Sequence, residues 1–185
     1  MVNTLDHKPM TRKDGKMTQY IDLTEFIQEV DELLRADAHI EAKEKLENIL
    51  LEEPGFGAAH GYLGWLYAYV FNDANKAELH FEYALDFDPS HVAAYINYVG
   101  VLISQRRADK VIEVLTAYIE LENADLEWAF ESLGRAYEMK CSYRLATTHY
   151  KKAQHLVVDT IKSEGISKDL SRVRKKRWKA FWTSE

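Results

Sequence analysis

An all-α solenoid of antiparallel helix hairpins, closed by a C-terminal helix, is the fold this sequence predicts. Three observations predict it. Small and apolar residues recur along residues 20–160 with a step of 34 or 35, a period characteristic of stacked helical pairs. Within each period the apolar positions fall three and four apart, the spacing of one helix face. The chain also holds only 8 glycines and 3 prolines in 185 residues, too few for the many tight turns of an all-β chain.

The repeat can be read slot by slot. A small-residue slot runs Ala42, Ala77, Val111, Ala146, and a second slot runs Val30, Gly64, Val99, Gly134. Two independent slots keeping the same step make coincidence a poor explanation. The first unit contributes Phe26, Val30, Leu33, Ala42, Leu46, Ile49 and Pro54. The second contributes Leu63, Gly64, Tyr67, Ala77, Phe81, Ala84 and Pro89. Tyr95, Tyr98, Val99, Leu102, Val111, Leu115 and Tyr118 belong to the third, and Phe130, Leu133, Gly134, Tyr137, Ala146, Tyr150 and Ala153 to the fourth. The spacing predicts helices over 22–36, 39–52, 57–71, 74–87, 91–105, 108–121, 125–139 and 143–161. Pro54 and Pro89 stop one helix and begin the turn to the next. A glycine or alanine is needed where the two helices of a hairpin approach closely. One hairpin cannot bury its apolar face alone, so stacking completes the core.

Leu63-Gly64, Tyr67, Ala77, Phe81, Ala84 and Pro89, with the matching run Leu133-Gly134, Tyr137, Ala146, Tyr150 and Ala153, resemble the tetratricopeptide repeat. The resemblance covers four tandem units and implies a right-handed superhelix. The chain departs from the family pattern where His60 and Phe130 replace tryptophan, Val30 and Val99 replace glycine, Tyr118 replaces a small residue, and Asn123 stands in place of proline.

Outside the repeats, residues 1–18 are polar and aperiodic and read as a disordered N-terminal arm, with a partner-binding arm as the alternative. Residues 19–161 form the four-repeat domain. Residues 162–185 begin with a linker containing Gly165, followed by a basic and aromatic helix with Ser167 as its expected N-cap. Its apolar face carries Leu170, Val173, Trp178, Phe181 and Trp182; its cations are Arg172, Arg174, Lys175, Lys176, Arg177 and Lys179. Three roles compete for this tail: a cap over the end of the solenoid, a recognition segment for an anionic protein or nucleic acid, and contact with an anionic membrane surface. The charge distribution bears on the choice. Residues 19–161 hold 12 Lys/Arg against 25 Asp/Glu, whereas residues 162–185 hold 8 against 3. An acidic body repels nucleic acid and anionic lipid; the tail attracts both.

The sequence offers little chemistry. It contains no phosphate-binding glycine loop, zinc-protease motif or nucleophile elbow. No two of its seven histidines lie three or four apart, so no helical metal pair exists. A single cysteine, Cys141, permits no internal disulfide. A non-enzymatic protein with no catalytic residues, metal or cofactor is therefore expected. The absence of an apolar leader and of a long apolar run points to a cytoplasmic location.

The resemblance implies that the first helix of each unit lines a concave groove that holds a partner segment. The slots that pattern assigns to the groove include Asp31 and Arg35, Gly61, Trp65, Ala68 and Tyr69, Ala93, Ile96, Gly100 and Ile103, and Trp128, Glu131, Arg135, Glu138 and Met139. Lys and Arg are missing where some family members clamp a C-terminal carboxylate. Trp65, Tyr69, Ile96, Ile103 and Trp128 are the expected contact residues, with Gly61 and Gly100 leaving room beside them. Aromatic anchors next to depressions are what peptide recognition requires. The expected function is a protein-interaction scaffold or adaptor that takes a protein or peptide segment. The alternatives are an adaptor for nucleic acid or an anionic surface through the tail, a secretion-type chaperone, and coverage of the groove by the chain itself or by a second copy.

Overall fold

The computed structural model describes residues 23–182. The expected N-terminal arm, residues 1–18, lies outside the described residues. The described chain is helical throughout, with no strand. Four hairpins follow in order: α1 Leu23–Arg35 with α2 His39–Glu52, α3 Gly57–Tyr69 with α4 Ala74–Phe87, α5 Val92–Ser104 with α6 Ala108–Tyr118, and α7 Leu126–Met139 with α8 Tyr143–Leu156; α9, Thr160–Trp182, closes the array. The odd-numbered helices form one layer of the solenoid and the even-numbered helices the other. Consecutive helices pack on one another along the array, and α3 also touches α5.

The same turn connects the two helices of every hairpin. Asp37, Asn72, Arg106 and Cys141 each adopt a left-handed conformation, with φ between 53° and 59°, and they follow one another at the repeat step. Cys141 is thus an exposed turn residue. Asp73 and Asp125 cap their helices by accepting from the backbone N–H of Lys76 and Trp128, each satisfying one orphan donor.

Inside the hairpins, the departures from the repeat pattern compensate for one another. A Cβ on Gly64 would lie 2.6 Å from the Phe81 ring, and one on Gly134 would lie 2.7 Å from the Tyr150 ring. Where valine occupies this slot, at Val30 and Val99, the matching position on the second helix is Leu46 or Leu115, and all four side chains are buried. Glycine therefore accompanies an aromatic ring and valine accompanies leucine, which conserves the volume between the helices.

A second pairing involves histidines. His80 stacks on Tyr67 with centroids 5.4 Å apart, and His149 stacks on Tyr137 at 5.1 Å. In the second unit, His60 Nδ1 lies 3.0 Å from His80 Nδ1 and His60 Nε2 lies 3.1 Å from the Pro54 carbonyl. The neutral tautomers that satisfy both contacts have His60 donating to Pro54 and His80 donating to His60. In the fourth unit Phe130 stands where His60 would, and His149 Nδ1 is buried without a partner among the described residues.

Burial lowers the pKa of His60. Burial, then the neighbouring His60, lowers that of His80 to about 4. A histidine whose folded pKa lies below its unfolded value favours the neutral fold. Its contribution is complete above about pH 6.5 and is lost as pH falls toward 4. The melting temperature should therefore fall between pH 7 and pH 5, and His80→Phe should flatten that slope. An unchanged slope in the variant would remove the pair as the source of the pH dependence.

The C-terminal region departs from expectation. The predicted linker at 162–167 is helical, and the eighth helix ends at Leu156 rather than 161. The break falls at residues 157–159, where Val157 is extended. Asp159, rather than Ser167, accepts from the Lys162 N–H at the start of α9. The reason is periodic: Thr160 stands 34 residues after Leu126, so α9 begins where the first helix of a fifth unit would begin. Gly165, exposed inside α9, costs up to about 1 kcal/mol relative to alanine, which the burial of Ile166, Leu170 and Val173 outweighs. Phe181, expected in the cap, is instead 71% exposed.

Candidate functional site

The resemblance assigns the concave side to the first helices of the hairpins, α1, α3, α5 and α7. These helices are parallel because each is reached through an intervening second helix. Tyrosines of this layer tie it to the outer helices. The Tyr67 hydroxyl donates to Glu47 at 3.1 Å, and the Tyr98 hydroxyl lies 3.0 and 3.1 Å from Glu78 and Glu82. Burial and these carboxylates push both phenols above their ordinary range. The frame holding the groove is thereby fixed from behind.

The structure brings part of the expected contact set together. Trp65 is half-buried against the core, with Tyr69 one turn away at 6.0 Å between ring centroids and His39 at 6.4 Å on the other side. Tyr69 is 55% exposed and Ile96 on the next concave helix is 41% exposed. The Tyr69 hydroxyl lies over Gly100, where a Cβ would sit 3.1 Å away. Ile103 packs partly into the core beyond Gly100. Trp128 stands apart: it is half-buried, edge-on to Tyr118 at 5.3 Å. The expected depression at Gly61 is filled, because a Cβ there would meet the His91 ring at 2.5 Å. Gly100 is exposed, with only the Tyr69 hydroxyl close to its Cα.

Several charged groove slots are occupied by internal partners. The Tyr62 hydroxyl donates to Asp31 at 2.6 Å. Arg135 pairs with Glu131 on its own helix. Glu138 accepts from Arg172 through both carboxylate oxygens at 2.9 and 2.7 Å, from Lys176 at 2.8 Å and from the Tyr150 hydroxyl at 3.1 Å. The Arg172 hydrogen bonds hold the Glu138 carboxyl down at about 2 against the cost of burial. Sequence reasoning missed this pairing, although Arg172 lies 34 residues after Glu138, one repeat further on. With these charges satisfied internally, the concave face around α3 and α5 is mainly aromatic and aliphatic.

The basic tail divides in two. Arg172 and Lys176 bind Glu138, and Arg172 also pairs with Asp169. Arg174, Lys175 and Arg177 make no ion pair among the described residues. The tail packs on the last hairpin, leaving Tyr69 and Ile96 uncovered. Among the described residues no three metal-ligating side chains cluster, and no helix is long and apolar enough to cross a membrane.

Helix hairpins stacked at this step, with a small residue or a matched pair at each close approach, define a tetratricopeptide-type solenoid, and comparison with solved structures shows the same fold. The chain aligns with MamA (a double-mutant form from strain RS-1) at a TM-score of 0.65 and 20% identity, covering 85% of this chain and 95% of that one. It aligns with PilF of Pseudomonas aeruginosa at 0.63 and 20% identity, covering 84% and 69%. With PilW, a type IV pilus biogenesis factor, the values are 0.58 and 18%, covering 85% and 77%. The chain matches no protein-family model and no curated protein.

Proposed function

We propose that the protein is a non-catalytic scaffold that holds an apolar segment of a partner protein against the second and third units. The observation that carries this reading is the exposed pair Tyr69 and Ile96, set beside Trp65, Ile103 and Gly100 on a face where Asp31, Glu131 and Arg135 already have internal partners. Large apolar side chains left exposed at the centre of a rigid concave wall are the arrangement of a binding hot spot. The tetratricopeptide-type fold agrees with a protein partner.

Affinity capture from the native lysate tests it. Tyr69→Ala with Ile96→Asp should lose the partner by at least tenfold while leaving the fold intact, since neither side chain is buried. Capture that is unchanged in this double variant would exclude the groove.

A further inference from the structure

The first helices of the four hairpins are 13 or 14 residues long, whereas α9 has 23. Its buried residues, Ile166, Leu170 and Val173, all fall within its first 14 positions. The remaining nine, Arg174–Trp182, contain no buried side chain and no acidic residue. Arg172 and Lys176 are anchored on Glu138, in the last turn of α7. The end of α9 beyond Lys176 therefore runs past the end of α7, on the edge of the solenoid where the turns within hairpins lie.

That edge is basic in the third and fourth units. Arg106 and Arg144 are exposed there and make no ion pair among the described residues. The opposite edge, formed by the turns between hairpins, is acidic, with Glu52, Glu53, Asp86, Glu120, Glu122 and Asp159 exposed. Helices of this length separate the two edges by about 20 Å, more than twice the Debye length of ~8 Å at physiological ionic strength. The acids of that opposite edge are thus screened from whatever meets Arg106, Arg144 and the overhang.

The tip of the overhang is apolar. Trp178, Phe181 and Trp182 are 65%, 71% and 59% exposed. Trp182 packs edge-on against both others, with centroids 5.7 Å apart in each case. The three rings form a compact wedge rather than separate platforms for stacking bases. Tryptophans beside a row of cations suit the headgroup region of a bilayer, where indoles favour the interface and Lys and Arg meet anionic phosphates.

We propose that the overhang of α9, together with the Arg106 and Arg144 edge, docks the protein on an anionic lipid bilayer. This goes beyond the groove reading and is independent of it: the groove lies on other helices, and α9 would hold the solenoid at the surface while the groove stays open.

The test is co-sedimentation of the full chain with phosphatidylcholine vesicles, with and without roughly a third phosphatidylglycerol. The chain should bind the anionic vesicles and not the neutral ones, and should be released by raised salt. Trp178→Ser with Trp182→Ser, and separately Arg174→Glu with Arg177→Glu, should each weaken binding at least tenfold. Neither pair includes a buried residue, so an unaltered melting temperature separates lost docking from lost folding. Equal binding to neutral vesicles, or retention of binding in both variants, would overturn the proposal. So would a duplex oligonucleotide that binds where anionic vesicles do not.

Discussion

Gly64→Val should destabilise the protein by about 2–3 kcal/mol, and Phe81→Leu should restore much of that loss in the same chain. The slot is full: the first added carbon would already stand 2.6 Å from the Phe81 ring. Overpacking of this kind costs roughly 1–3 kcal/mol, reduced slightly because valine is a better helix former than glycine. Phe81→Leu alone removes buried ring volume and should cost about 1 kcal/mol or more. In combination the two recreate the valine and leucine arrangement of the first and third units. The double-mutant cycle should therefore show a coupling of at least about 1 kcal/mol, measured by urea unfolding. Additive losses would mean that the valines of the other units are accommodated by backbone spacing instead.

The second large effect is expected at the end of the array. α9 covers Ala146, Tyr150 and Ala153 with Ile166, Leu170 and Val173. The face it would offer to a second helix of a fifth unit carries Ser163, Ser167 and Ser171 instead, and this face is open to solvent. Such a helix finishes a solenoid, because its outer side needs no further partner. Leu170→Asp places a carboxylate in that contact, beside Asp169, and should cost more than about 3 kcal/mol. The exposed apolar surface of α8 should then promote aggregation. Ending the chain after Arg177 keeps both cations on Glu138, removes no buried side chain among the described residues and should change stability by less than about 1 kcal/mol. Thermal melts of both chains check the pair of statements. Equal effects would show that cap and overhang are not separate parts.

Most of the architecture was legible because a repeat shows itself four times. Helix positions follow from slots such as Gly64 and Gly134, and the turn residues Asp37, Asn72, Arg106 and Cys141 keep the same step. At the C-terminus local composition misleads: Gly165 and its polar neighbours read as a break over residues 162–167, yet that stretch is helical. The period, carried one step beyond Leu126, places a helix start at Thr160. Other features depend on contacts that a single slot does not reveal. The filling of Gly61 by His91 comes from the next unit. The hydrogen bond between His60 and His80 requires the ring positions of two helices. Within the candidate groove, residue type alone did not separate Trp128, turned edge-on to Tyr118, from Tyr69 and Ile96, which face solvent. All were apolar residues in slots assigned to the groove, and only their packing distinguishes them.

The division of the molecule into a concave binding wall and an outer frame can be tested by placing a photo-crosslinking amino acid at one position at a time. Ile96 probes the groove; Leu79, 46% exposed on α4 in the outer layer, is the control. Irradiation in the native lysate should yield a defined protein adduct from position 96 and none from position 79. An adduct from position 79 alone would place the working surface on the outer face and contradict the assignment of the groove.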